Sequence, residues 1–164
     1  MRLLSFFIFN FLLISQIFCQ DKLPNIILKD ISGNSVNLSE ISNGGNPIVI
    51  NFWSTWCAPC KRELNSINEQ FSDWVEETGV KLYAISIDDQ RTVDRVKPYV
   101  YANDWQFEIL LDTNGDLKRA MGVNSIPFTI LLNSDCEIVW RHNNYNPGDE
   151  DELFLKIIEL YEKK

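Results

Sequence analysis

The hydrophobic pattern of the chain predicts alternating strands and helices. An almost continuously apolar run, Ile48–Trp53, is typical of a central strand that is buried on both faces. Residues 58–77 then repeat apolar side chains at helical spacing, and Gly79 is placed to end that helix. A second apolar run at residues 80–87 predicts the next strand. The pattern therefore predicts a β–α–β unit in the first half of the chain.

Further elements are predicted on both sides of this unit. Short apolar runs at residues 26–28 and 36–38 flank a turn-rich link, which predicts an N-terminal hairpin. The later pattern predicts a helix, a short strand, a helical turn, two antiparallel strands and a final helix, at residues 91–102, 107–111, 117–121, 128–132, 137–141 and 151–163. Parallel units followed by an antiparallel pair predict an α/β domain, in which a mixed central sheet is flanked by helices on both faces.

The N-terminal segment differs from the rest of the chain. Arg2 is followed by an uncharged stretch rich in Phe and Leu, which is typical of a secretory signal peptide. We therefore expect a signal peptide at residues 1–19, a single domain at residues 20–164, and a periplasmic or other extracytoplasmic location. Two alternatives stay open here. One is an uncleaved anchor, although polar residues leave the stretch short of the roughly 20 apolar residues that span a bilayer. The other is a lipid on Cys19.

The charge of the chain restricts its partners. The 164 residues contain 15 Lys and Arg against 23 Asp and Glu, a net charge of −8. Nucleic-acid binding requires basic side chains that neutralise phosphates, so we exclude nucleic acids as partners. The acidic tract at residues 149–152 directly precedes an apolar helical pattern, where negative charge favours a helix N-terminus. We therefore do not assign a metal site to it, and we expect neither a metal nor another cofactor.

Two cysteines, Cys57 and Cys60, lie at the predicted strand-to-helix turn. A thiol on the first turn of a helix is near unpaired backbone N–H groups and the positive end of the helix dipole, and both favour the reactive thiolate. Pro59 suits an early helical position because no hydrogen bond is lost there. Active sites of open α/β sheets usually lie at this carboxyl edge of the strands. The pair is therefore our candidate for thiol–disulfide exchange.

Two other interpretations of this cysteine pair are weaker. A structural zinc site needs four ligands. Apart from the pair, the cysteine and histidine residues after position 19 are Cys136 and His142, and these two are not spaced as a second ligand pair. A purely structural disulfide between Cys57 and Cys60 would close a very short loop and would gain little from chain entropy. A redox role therefore explains the pair best.

Asn51-Phe52-Trp53 is followed by Trp56-Cys57-Ala58-Pro59-Cys60. In these stretches the chain resembles the TlpA/ResA-type branch of thioredoxin-like thiol–disulfide oxidoreductases. The likeness covers nearly everything after residue 19, and its most specific part is the Trp-Cys-x-x-Cys core. It implies a thioredoxin-like fold with an N-terminal β-hairpin extension. The stretches that carry it are Asn51-Phe52-Trp53, Trp56-Cys57-Ala58-Pro59-Cys60 with the following Lys61-Arg62-Glu63-Leu64, Val123-Asn124-Ser125-Ile126-Pro127 and Phe128-Thr129-Ile130.

The resemblance also implies roles for individual residues. Cys57 would be the exposed attacking thiol and Cys60 the buried resolving thiol. Pro127 would be a cis-proline that faces the pair and leaves the backbone of Ile126 open to an extended substrate. With Trp56 and Pro59, these two residues form the expected substrate-positioning set. The implied partners are disulfide-containing exported proteins and a membrane electron donor, and we expect a monomer.

Three positions bear on proton transfer and on departures from the family. Asp89 aligns with an acidic residue that assists proton transfer in some relatives, but Asp88 and Asp89 are equally well interpreted as a solvated loop. Asn51 stands where thioredoxin has a buried aspartate, so we expect no proton handling by this residue. Asn65 stands where relatives often have a proline that kinks the helix.

Three other classes of protein compete with a disulfide reductase. A peroxiredoxin requires a Pro-x-x-x-Thr/Ser-x-x-Cys pocket; Ser54 fits this pattern, but Ile50 occupies the proline position. A copper-delivery module requires wider cysteine spacing and a histidine ligand, for which His142 is the candidate. A non-enzymatic binding or chaperone module would function without either cysteine. We predict an exported oxidoreductase that reduces disulfides, with the peroxidase and the chaperone module as alternatives.

Overall fold

The computed structural model describes residues 22–163, which form one mixed sheet with helices packed on both faces. The strands are β1 (Ile27–Asp30), β2 (Ser35–Asn37), β3 (Ile48–Trp53), β4 (Lys81–Ser86), β5 (Glu108–Leu111), β6 (Phe128–Leu132) and β7 (Ile138–Asn143). The helices are α1 (Ala58–Thr78), α2 (Val96–Ala102), α3 (Asp116–Ala120) and α4 (Asp149–Glu162), with short 3-10 turns at Leu38–Glu40 and Val93–Arg95. The expected signal peptide lies outside the described residues. Between residues 22 and 163, no helix has the length and apolar character needed to cross a bilayer.

The seven strands are arranged in the order β2-β1-β5-β4-β3-β6-β7. The three strands β3, β4 and β5 are parallel, and β6 and β7 continue the sheet in antiparallel fashion beyond β3. The hairpin of β1 and β2 joins the opposite side through antiparallel pairing of β1 with β5. The predicted mixed sheet, its antiparallel end and the N-terminal hairpin are confirmed.

Strand β3 lies near the middle of the sheet and contributes to both halves of the core. All six of its residues are buried. Val49 and Trp53 pack on the face covered by α1, α2 and α4, whereas Ile50 and Phe52 pack on the opposite face with Leu117 of α3. This alternation follows from the strand geometry, in which successive side chains point to opposite faces. A core on both sides fixes the end of β3, from which the cysteine-bearing turn departs.

The helix predicted at residues 91–102 is shorter in the structure. It consists of the 3-10 turn Val93–Arg95 followed by α2. The side chain of Asp89 accepts a hydrogen bond from the backbone N–H of Arg91 at 2.9 Å, which holds the preceding residues in a turn. The α-helix then begins so that Pro98 lies in its first turn, where a proline removes no helical hydrogen bond.

Cys136, a free thiol, lies in the turn between β6 and β7. Its backbone is left-handed, with φ of 58°, and its half-buried thiol donates a hydrogen bond to the carbonyl of Ile41 at 3.4 Å. We expect no disulfide-linked dimer on non-reducing gels, and we expect Cys136→Ser to retain full activity, because this thiol is engaged within its own chain. A dimer that disappears in Cys136→Ser would contradict this prediction.

Candidate active site

The cysteine pair lies on the first turn of α1, where the chain leaves β3. Cys57 occupies the position just before the helix, and Cys60 lies within the first turn. The two form a disulfide with a Cα–Cα distance of 5.4 Å, and Sγ of Cys57 accepts the backbone N–H of Cys60 at 3.2 Å. No acidic side chain lies in this turn. The N–H donor and the helix dipole both favour negative charge on the Cys57 sulfur.

The exposure of the two cysteines differs, but less than the resemblance implied. Cys60 is fully buried, whereas Cys57 keeps 6% of its surface exposed. The expectation of an exposed Cys57 is therefore wrong for this disulfide form, because its sulfur is turned towards the helix N-terminus and bonded to Cys60. Cys57 is nevertheless the more accessible of the two. Its neighbour Trp56 is 59% exposed and forms the surface beside the disulfide.

A buried carboxylate anchors the turn that carries Cys57. Asp88, which follows β4, accepts hydrogen bonds from the backbone N–H of Thr55 at 2.8 Å and from its hydroxyl at 2.6 Å. The hydroxyl of Ser86 donates a third at 2.9 Å. Asp88 is only 1% exposed, so the interpretation of this residue as part of a solvated loop is wrong. Its bonds tie the end of β4 to the loop that presents the cysteines.

Asp89 has a different environment from Asp88. Its side chain is partly exposed and forms an ion pair with Arg91 at 2.7 Å. The hydrogen bonds from the Arg91 side chain and backbone hold the pKa of Asp89 below its usual range. A carboxylate that stays ionised at neutral pH is a poor proton carrier, so the structure favours the solvated interpretation for Asp89.

The peptide bond between Ile126 and Pro127 is cis and lies beside the end of β3. Its position follows from the antiparallel register of β3 and β6, in which Phe52 pairs with Phe128. The carbonyl of Pro127 accepts the N–H of Asn144 at 3.0 Å. Within residues 22–163, by contrast, no backbone hydrogen bond engages Ile126. A short stretch of unpaired backbone therefore lies next to the sheet edge from which α1 starts.

The structure adds a buried carboxyl group, Glu63, which the sequence analysis did not identify as a site residue. It lies one helical turn after Cys60 and is 3% exposed. Asn51 donates to its Oε2 at 2.9 Å, and Thr129 donates to its Oε1 at 2.9 Å. Burial raises the pKa of Glu63 to about 7, although both hydrogen bonds oppose the rise. Asn51 itself does not titrate, but α1 places a titrating group against it.

His142 and Asp149 form a polar pair near the Glu63 carboxyl group. Nε2 of His142 is 3.1 Å from Oδ2 of Asp149, and both side chains are largely covered. His142 lowers the pKa of Glu63 and Asp149 raises it, both by less than burial does. The histidine considered as a copper ligand thus has a carboxylate partner. Within the described part of the chain, no three ligating side chains cluster in a way that could hold a metal ion.

Comparison with known proteins agrees with this geometry. A family model described as the AhpC/TSA family matches residues 19–141. The chain belongs to the AhpC/TSA family. The thiol–disulfide oxidoreductase ResA of Halalkalibacterium halodurans is 31% identical over 135 residues, which cover 82% of this chain and 73% of that protein. The sporulation thiol-disulfide oxidoreductase A of Bacillus subtilis is 32% identical over 121 residues, covering 73% and 71%.

A solved structure agrees with a thioredoxin-like fold. A thioredoxin-like protein from Porphyromonas gingivalis, whose solution structure is known, superposes with a TM-score of 0.77 and 44% identity over 86% of this chain and 92% of its own. The AhpC/TSA chain described here is therefore a thioredoxin-like thiol–disulfide oxidoreductase of the ResA type, with Cys57 and Cys60 in a CxxC arrangement. The resemblance found in the sequence is confirmed.

Proposed function

We propose that this oxidoreductase reduces disulfide bonds of exported proteins. The observation that carries the proposal is the position of the Cys57–Cys60 disulfide, at the start of α1, with Cys57 as its accessible end. In the reduced protein, the Cys57 thiolate attacks a substrate disulfide, forms a mixed disulfide and releases one substrate thiolate. Cys60 then attacks the Cys57 sulfur, releases the second substrate thiol and forms the disulfide seen here. Two electrons pass to the substrate.

The residues around the disulfide would position the substrate. Ile126 offers unpaired backbone for strand-like pairing with an extended peptide. Trp56, next to Cys57 in the chain, offers an exposed apolar surface. Pro59 keeps the first turn of α1 in the geometry that brings the two sulfurs together. A membrane-bound dithiol donor would return Cys57 and Cys60 to the reduced state.

Export is the part of this proposal that depends on residues 1–19. Their single charge, followed by an apolar stretch, supports secretion and cleavage before Gln20. Fractionation of cells that produce the full chain, with N-terminal sequencing of the product, tests the proposal. A chain that begins at Gln20 in the extracytoplasmic fraction is expected. A chain that stays in the membrane with residues 1–19 attached would favour the anchor.

The direction of electron flow leads to a prediction about the redox potential. A strong oxidant owes its potential to an unusually stabilised thiolate in the reduced form. Here the residues between the cysteines, Ala58 and Pro59, have side chains that can neither donate a hydrogen bond nor carry a positive charge. We therefore expect a midpoint nearer to about −270 mV than to about −120 mV in glutathione buffers. A value above roughly −150 mV would reverse the proposed direction.

Two further assays separate the alternative functions. Consumption of hydrogen peroxide by the reduced protein would favour a peroxidase. We expect none, because the proline position of the peroxiredoxin pattern, before Ser54, is occupied by Ile50 of the buried strand β3. Suppression of client aggregation by a variant that lacks both Cys57 and Cys60 would favour a chaperone module. If the protein is a reductase, it should turn over insulin only when both Cys57 and Cys60 are present.

A further inference from the structure

A groove lies between Trp56 and α3. Its volume is about 560 Å³, and Trp56, the neighbour of Cys57, lines one side. Residues 122–124, which lead into the cis bond at Pro127, line another, and Lys118 and Arg119 of α3 and the loop before that helix also contribute. A substrate whose sulfur is bonded to Cys57 would therefore have part of its own chain next to this groove.

The charged side chains at the groove are paired, with one exception. Asp89 pairs with Arg91 at 2.7 Å. Arg119 pairs with Asp116 at 2.6 Å and also donates to a backbone carbonyl. Lys118 lines the groove as well, and its ammonium group forms no ion pair with any other residue between 22 and 163.

Asp112, an acidic residue near Lys118, is also engaged elsewhere. Its carboxylate is 2% exposed and accepts the backbone N–H groups of Leu117 and Lys118 at 3.2 and 2.8 Å. It is therefore turned towards the helix backbone and not towards the Lys118 ammonium group. The groove thus holds one uncompensated positive charge in a protein whose net charge is −8.

We propose that Lys118 selects substrates that carry an acidic side chain close to the disulfide to be reduced. This inference rests on the proposed reductase function and names the chemistry of its substrate. The net negative charge of the protein repels acidic peptides in general, so a local cation in the groove that Trp56 also lines would attract an Asp or Glu side chain selectively. Partial enclosure in a groove reduces the solvent screening that weakens such pairs on an open surface. Complementary charge also raises the rate of encounter.

The test uses the purified, reduced protein and short peptides with a single cysteine blocked by 2-mercaptoethanol. In a series of paired peptides, Glu or Gln stands at successive positions on either side of that cysteine. The rate of reduction is measured by the change in the fluorescence of the protein that accompanies oxidation of Cys57 and Cys60. At low salt we expect the Glu peptide to react about three- to fivefold faster than its Gln partner at one or two positions, with the difference fading at high salt.

Variants of Lys118 show whether this residue is responsible. Lys118→Gln should remove the preference, Lys118→Glu should reverse it, and Lys118→Arg should retain it. Lys97→Gln serves as the matched control, because it removes the same charge from α2, outside the groove, and should leave the preference intact. Equal rates for Glu and Gln peptides, or a preference that survives Lys118→Gln, would overturn the inference. Failure to reduce any of the peptides would instead contradict the reductase function itself.

Discussion

Replacing Cys57 by Ala is expected to abolish insulin reduction, whereas Cys60→Ala is expected to stop after one attack, as a mixed disulfide with the substrate. Only Cys57 combines a place at the start of α1 with some access to solvent, because Cys60 is fully buried. A buried thiol cannot reach the disulfide of a folded substrate, but it can attack the sulfur next to it. Turbidity of insulin and mass spectrometry of the trapped species measure the two effects.

Cys136→Ser provides the control for this experiment, since it removes a thiol that lies in the β6–β7 turn. It should reduce insulin at the rate of the unaltered protein. Full turnover by Cys57→Ala would overturn the assignment of the attacking thiol, as would a mixed disulfide formed through Cys60 in that variant.

Much of the fold and the position of the cysteine pair could be predicted from local patterns. The run Ile48–Trp53 is apolar because β3 is covered on both faces, and this burial dictates the composition directly. Gly79 ends α1 because the backbone there is left-handed, with φ of 64°, a conformation that glycine adopts without strain. Both signals lie within a few residues of the element that they define.

The features that sequence reasoning missed depend on partners far along the chain. Glu63 lies on the helical face next to Leu64 and Cys60, yet a lone glutamate in a helix is ordinarily interpreted as solvent-exposed. Its burial depends on Asn51, 12 residues away, and on Thr129, 66 residues away. An acidic residue on the apolar face of a helix was the available signal. The cis bond at Pro127 could likewise be predicted from the family resemblance but not from the residues themselves.

The buried position of Glu63 leads to a second large expected effect, on stability. Its pKa is about 7 in the folded protein against an ordinary value of 4.5, so between these pH values the folded chain keeps a proton that the unfolded chain loses. Stability therefore falls as pH rises through this window. At about 1.36 kcal/mol per pKa unit, the loss is about 3 kcal/mol and is complete above pH 7.

We expect Glu63→Gln to remove this loss, because glutamine stays neutral at every pH and has nearly the same shape. Urea unfolding of the disulfide form at several pH values between 4.5 and 8 measures the free energy of unfolding of both proteins. As pH rises, the free energy of unfolding of the variant should increase relative to that of the unaltered protein. Glu69→Gln is the matched control, since it removes the same charge from an exposed position of α1 and should leave the pH dependence unchanged. If the unaltered protein and Glu63→Gln lose stability in parallel, Glu63 does not hold a proton in the folded state and the buried network is ionised throughout.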